Sequence, residues 1–160
     1  MGDGPVASIG SHCILELYDC PPGLLDDPIY IRDALREAAR EAESTLLGEL
    51  HHVFEPQGVT ALVLLAESHI SIHTWPELGY AAVDVFTCGA HTKPEKACDF
   101  LVRKLQARRH QLRKLPRGGK APEVRPDRCP APAVGSGETP GEAPEEACLC
   151  RVRSFARITG

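Results

Sequence analysis

Apolar residues recur along this 160-residue chain with two different periods. From Asp27 onward, Ile31, Leu35, Ala38, Ala42 and Leu46 return every three or four residues, the spacing of one face of a helix. Asp27 stands in the N-cap position and Pro28 at the first helical position, so a helix is predicted from there to about Leu47. A second helix is predicted to run to about Arg109. A capping box of Thr92 and Glu95 opens it, Pro94 sits in its first turn, and Ala97, Phe100, Leu101 and Leu105 are its apolar positions. The other apolar segments are short. His12–Tyr18, Leu50–Glu55, Val59–Ala66, Ile70–Trp75, Tyr80–Thr87 and His110–Leu115 read as strands. Cys20-Pro21-Pro22-Gly23 and Pro56-Gln57-Gly58 break the chain between elements. Val59–Ala66 is apolar on both faces, the pattern of a central strand. The elements predict an α+β fold, a two-layer sandwich of an antiparallel sheet with two helices packed on one face. A sheet covered on one side keeps its other side for a partner or a substrate.

Strand alternation then sorts the polar residues. His69, Ser71, His73 and Trp75 share one face, and Ile70, Ile72 and Thr74 the other. In the neighbouring strand Asp84, Phe86 and Cys88 oppose Val83, Val85 and Thr87. The apolar sets face the helices, so serine, two histidines, aspartate and cysteine converge on the open face. Any one of these residues alone would be an ordinary surface or core residue. Together they form a constellation that a buried core does not explain.

Composition narrows the function classes. Net charge is −4, and residues 1–115 carry 11 Lys/Arg against 16 Asp/Glu. A nucleic-acid binder would present a basic face, so no nucleic-acid partner is expected. The longest apolar run, Ala61–Ala66, is far short of a membrane span, and Met1-Gly2-Asp3-Gly4-Pro5 does not resemble a signal peptide. Seven cysteines without a secretion signal favour reduced thiols and a cytoplasmic location. No metal site is expected, because no cysteine pair has Cys-x-x-Cys spacing and Cys148-Leu149-Cys150 stands alone. Residues 116–147 hold 7 of the 14 prolines among Gly, Ala and Glu. A largely disordered tail is therefore expected over 116–160, and a folded domain over 1–115.

The densest motif is Glu67-Ser68-His69-Ile70-Ser71-Ile72-His73-Thr74-Trp75-Pro76-Glu77, followed by Gly79-Tyr80-Ala81-Ala82-Val83-Asp84-Val85-Phe86-Thr87-Cys88-Gly89. It resembles the self-cleavage segment of the prokaryotic S-adenosylmethionine decarboxylases over about two dozen residues. The resemblance extends across residues 8–117. It implies a pyruvoyl cofactor made from Ser68 after cleavage at Glu67-Ser68, giving a β chain (1–67) and an α chain (68–160). It implies that His73 accepts a proton during processing and that Cys88 donates one during catalysis. Thr60 stands where the family has a serine that assists processing. Phe54 matches an aromatic that stacks on adenine, Glu77 an acid that holds the ribose, and Trp75 lies beside them. The implied reaction is a Schiff base with S-adenosylmethionine, loss of CO2, and an aminopropyl donor for spermidine synthesis. A homo-oligomer of processed pairs is implied, with pockets between protomers.

The residue chemistry is compatible with these roles. A serine hydroxyl can attack the preceding carbonyl when the peptide is suitably held. A neutral imidazole is a good base near pH 7, and a thiol can exchange protons when its neighbours tune it. Three rivals remain at this level. A pyruvoyl-dependent arginine or ornithine decarboxylase would share the processing motif but have no use for Phe54 and Glu77. A non-catalytic partner subunit predicts loss of Ser68, His73 or Cys88, all of which are present. A metal module built on His69 and His73 lacks a recognised ligand spacing.

Overall fold

The computed structural model describes residues 8–119. The element order is β1 (Gly10–Tyr18), α1 (Pro22–Leu25), α2 (Pro28–Glu41), β2 (Leu46–Val53), β3 (Val59–Leu65), β4 (Ser68–Trp75), β5 (Tyr80–Cys88), α3 (Pro94–Lys104) and β6 (Arg109–Arg117), with a 3-10 turn at Pro76–Leu78 between β4 and β5. The six strands form one sheet in the order β2-β3-β4-β5-β1-β6, and each neighbouring pair is antiparallel. The α+β architecture is as expected. The expected tail and the cysteines Cys129, Cys148 and Cys150 lie outside the described residues, apart from the tail's first four positions. Of those, Pro116 and Arg117 extend β6 beyond the expected Leu115.

One face of the sheet carries the core. Cys13, Leu15 and Leu17 of β1, Val59, Ala61, Val63 and Leu65 of β3, Ile70 and Ile72 of β4, and Val83 and Val85 of β5 are buried there. Against them pack Ile31, Leu35, Ala38 and Ala42 of the α2 stripe and Ala97, Cys98, Leu101 and Leu105 of the α3 segment. Asp27 caps α2 as expected, its carboxylate accepting from the amides of Ile29 and Tyr30. Leu35 is fully buried between α2 and the sheet. Leu35→Ala should therefore cost about 2–5 kcal/mol in a denaturant titration, and a loss well below that range would show that the site collapses around the gap.

Several expectations need correction. Both helices stop early, α2 at Glu41 rather than Leu47 and α3 at Lys104 rather than Arg109. In each case a residue at positive φ turns the chain, Glu43 at 56° and Gln106 at 52°. Leu46 consequently belongs to β2, where it is exposed, and β2 starts four residues earlier than expected and ends at Val53. The Thr92–Glu95 capping box does not form. Lys93 is the N-cap residue without a side-chain cap bond, Thr92 bonds to Thr87 and Gly89, and Glu95 pairs with Lys114. A short helix, α1, occupies the Pro-Pro-Gly break. β3 is buried on its helix face alone, since Leu62 and Leu64 on the other face are 36% and 50% exposed. The helices cover a single side, and nothing among the described residues covers the second.

Candidate active site

The open face presents the residues that alternation assigned to it. Ile70, Ile72 and Thr74 of β4 are buried, while His69, Ser71, His73 and Trp75 are not. Asp84, Phe86 and Cys88 of β5 likewise face away from the helices. Two clusters result, one at each end of β4.

The first lies at the start of β4. Ser68 has φ 148°, an unfavourable conformation for a residue with a side chain, costing of order 1–3 kcal/mol. It pairs with Thr87 in the sheet, next to Cys88. The Cys88 amide donates to the Glu67 carbonyl oxygen at 2.9 Å. That carbonyl belongs to the Glu67-Ser68 peptide, so a hydrogen-bond donor is already aimed where charge would develop on attack by Ser68 Oγ. Ser68 Oγ lies 3.2 Å from His69 Nδ1. His69 packs edge-on against Phe86, which also contacts His12. Arg117 donates to His12 Nδ1 at 2.9 Å, which leaves His12 Nε2–H to donate to Asp84 at 2.9 Å. Glu67 itself is tied down. The Thr45 amide bonded to its carboxylate holds it below the ordinary glutamate range, with Thr45 Oγ1 and His91 adding to the effect.

The second cluster lies at the far end of β4. Phe54, Gln57, Thr60, His73, Thr74, Trp75 and Glu77 line a cleft of about 290 Å³. Thr60 and His73 are register partners in β3 and β4, and Thr60 Oγ1 lies 2.8 Å from His73 Nδ1. Trp75 is flanked by His73 and Tyr80, and Gln57 donates to the Glu77 carboxylate at 3.2 Å. Phe54 is half exposed and touches His52 edge to face. The Tyr80 hydroxyl, which donates to Glu16, is pushed up to about 12 by burial and then by that carboxylate.

Sequence-predicted residues thus gather in two groups, Glu67, Ser68 and Cys88 in one and Phe54, Thr60, His73, Trp75 and Glu77 in the other. Ser68 and His73 are five residues apart on an extended strand, about 16 Å at about 3.3 Å per residue. The histidine beside Ser68 in one chain is His69. Sequence reasoning missed the contacts of Thr45 and His91 with Glu67 and the His12–Asp84–Arg117 chain. Apart from Asp84, which lies in the motif, these residues come from separate loops and strands that no local motif marks. Among the other described cysteines, Cys13, Cys20 and Cys98 are buried, whereas Cys88 is partly open. Burial, then the nearby Asp19 charge, pushes the Cys20 thiol up to about 11, so it is a poor nucleophile. Among the described residues, no three His, Cys, Asp or Glu are grouped to hold a metal ion, and no helix is long and apolar enough to cross a membrane.

Comparison with known proteins gives this geometry a context. The family model for S-adenosylmethionine decarboxylase matches residues 11–118. The S-adenosylmethionine decarboxylase proenzyme of Parasynechococcus marenigrum is 63% identical over 109 residues, 68% of this chain and 85% of that protein. That of Synechococcus sp. is 58% identical over 122 residues, 76% of this chain and 95% of that protein. Among solved structures, the adenosylmethionine decarboxylase of Aquifex aeolicus is 38% identical with a TM-score of 0.67, covering 73% of this chain and 96% of that one. With residues 11–118 matched by the family model and its fold matched by a family structure, the chain belongs to the S-adenosylmethionine decarboxylase family.

Proposed function

We propose that this chain is an S-adenosylmethionine decarboxylase proenzyme that cuts itself between Glu67 and Ser68 and builds each active site from two copies. The observation that carries this reading is the division of the site residues between the two ends of β4. No histidine side chain spans about 16 Å of strand, so His73 cannot reach Ser68 of its own chain. A second copy related by a two-fold axis, with its open face against this one, would bring the His73 end of one chain over the Ser68 end of the other. Leu50, Leu62 and Leu64 lie exposed on the same face between the clusters, and an apolar patch of that kind favours burial against a partner. The small volume of the cleft also fits a half-site that a second surface completes.

The residues then have defined tasks. Ser68 Oγ attacks the Glu67 carbonyl carbon, the Glu67–Ser68 C–N bond breaks, and an ester forms as the Ser68 amine is freed. The Cys88 amide stabilises the charge on the Glu67 oxygen. His73 of the second copy, its ring held by Thr60, removes the Ser68 α-proton. The Cβ–Oγ bond breaks, releasing Glu67 as a C-terminal carboxylate and leaving dehydroalanine. Hydrolysis with loss of ammonia makes the pyruvoyl terminus of the α chain (68–160), apart from the β chain (1–67). The pyruvoyl group supplies an electron sink for the pair left behind as carbon dioxide departs. Cys88 delivers a proton to the substrate carbon. Phe54 offers a face to adenine and to the sulfonium, Glu77 accepts from the ribose hydroxyls, and Trp75 walls the pocket. Phe54 and Glu77 in one cleft favour S-adenosylmethionine over arginine or ornithine, which have no adenine or ribose to hold. The product would serve as an aminopropyl donor for spermidine synthesis.

The denatured mass of freshly purified protein tests the first half of the reading. Two fragments split before Ser68, the larger lighter by one ammonia than a serine terminus, are expected. Release of carbon dioxide from S-adenosylmethionine, arginine and ornithine side by side tests the second. An uncleaved chain would point to a non-catalytic partner subunit, and release from arginine or ornithine alone would reassign the substrate.

A further inference from the structure

We propose that Thr45 and His91 form a clamp on the Glu67 side chain that positions the Glu67-Ser68 peptide for self-cleavage. The proposal rests on cleavage at that bond. The contacts converge from two loops far apart in sequence. The Thr45 amide donates to Glu67 Oε2 at 2.9 Å, and Thr45 Oγ1 donates to Oε1 at 3.2 Å. His91 Nε2 lies 3.4 Å from the same Oε1. Thr45 also takes hold of the backbone, because its carbonyl accepts from the Ala66 amide at 2.9 Å. The two loops are bonded to each other. The Lys93 amide donates to the Ala42 carbonyl at 2.9 Å, and the Lys93 ammonium pairs with Glu43.

These bonds hold Glu67 by its side chain and by the residue before it, while the Cys88 amide holds its carbonyl oxygen. Immediately afterwards the chain enters the unfavourable φ of Ser68. A strained residue persists only where its surroundings over-determine it. The Glu67 side chain is 11% exposed, sheltered although charged, so its hydrogen bonds to Thr45 are of the stronger, charge-assisted kind. Without them, rotation about the Glu67 backbone would relax Ser68 toward an ordinary extended conformation and swing the carbonyl away from Ser68 Oγ. Thr45 and His91 touch no reacting atom, so they are positioning residues, and their effect falls on the rate of the acyl shift.

The test follows full-length chain made by pulse-labelled cell-free synthesis, with the intact and cleaved forms resolved by denatured mass over time. The double variant Thr45→Val/His91→Ala should lengthen the cleavage half-time about tenfold or more, the scale set by losing two contacts to a charged group. Thr45→Ser/His91→Gln keeps a hydroxyl and a side-chain donor and should return the half-time to within about threefold of the unmodified chain. A thermal melt of each variant on a Ser68→Ala background separates misfolding from mispositioning. Slow cleavage at an unchanged melting point, rescued by the conservative pair, supports the clamp. An unchanged half-time in the Val/Ala variant overturns it, as does slow cleavage that Ser/Gln fails to rescue. If the unmodified chain never cleaves, the processing reading itself falls and the clamp with it, an outcome distinct from the other two.

Discussion

Co-expressing a Ser68→Ala chain with a His73→Ala chain should restore cleavage that neither chain performs alone. Ser68→Ala removes the proposed attacking hydroxyl, and His73→Ala removes the proposed base, so each variant by itself is expected to stay a single uncleaved chain. In a mixed pair, one site combines both defects. The other takes Ser68 from the His73→Ala chain and His73 from the Ser68→Ala chain, and it is complete. With random pairing about half of the dimers are mixed and one site in each is whole, so about a quarter of all sites should process. The measurement is the fraction of chain split before Ser68, with carbon dioxide release from S-adenosylmethionine rising in proportion. The distance along β4 makes the outcome decisive. Were His73 to serve its own chain, co-expression would yield no more product than the two variants separately, and β4 would have to bend sharply between residues 68 and 73.

Cys88→Ala should cleave normally yet turn over at least about a hundredfold more slowly, the scale of losing a general acid. The two halves of this expectation rest on different atoms. The bond that polarises the Glu67 carbonyl comes from the Cys88 main-chain amide, which alanine retains. The proton proposed for the substrate carbon would come from the thiol, which alanine lacks. Residue 88 also ends β5 at the Ser68 end of the sheet, next to Thr87, the register partner of Ser68. Mass analysis reads the first half and steady-state carbon dioxide release reads the second. Unimpaired turnover would remove the thiol from the proton-donor role. Failed cleavage would show that the thiol itself takes part in processing.

Alternation in β4 and β5 was legible in the sequence because a strand's side chains have a period of two, and a one-residue shift would put Ile70 and Ile72 into water. The open face and its polar residues therefore follow from the sequence pattern alone. Helix ends were less legible. Glycine is the usual residue at the left-handed position that stops a helix, and here Glu43 and Gln106 take it. With no glycine to mark the stop, periodicity carried α2 through to Leu46, which the fold gives to β2. β3 is an interior strand, as its two apolar faces suggested, but helices cover only one of those faces, and Leu62 and Leu64 are exposed on the other.

The sequence by itself determined the sheet, the family and which residues are candidates for the chemistry, because these depend on local periodicity and on a contiguous motif from Glu67 to Gly89. Only the tertiary structure decided which of those residues meet. Ser68 and His73 are close neighbours in the motif, yet an extended strand carries them to opposite ends of the sheet. Thr45 and His91 lie more than twenty residues from Glu67 on either side, yet the turns after α2 and β5 bring both to its carboxylate. The physical reason is the same in each case. Spacing along a chain fixes which face a side chain takes, whereas proximity is set by register and loop closure, which act between segments that the sequence keeps apart.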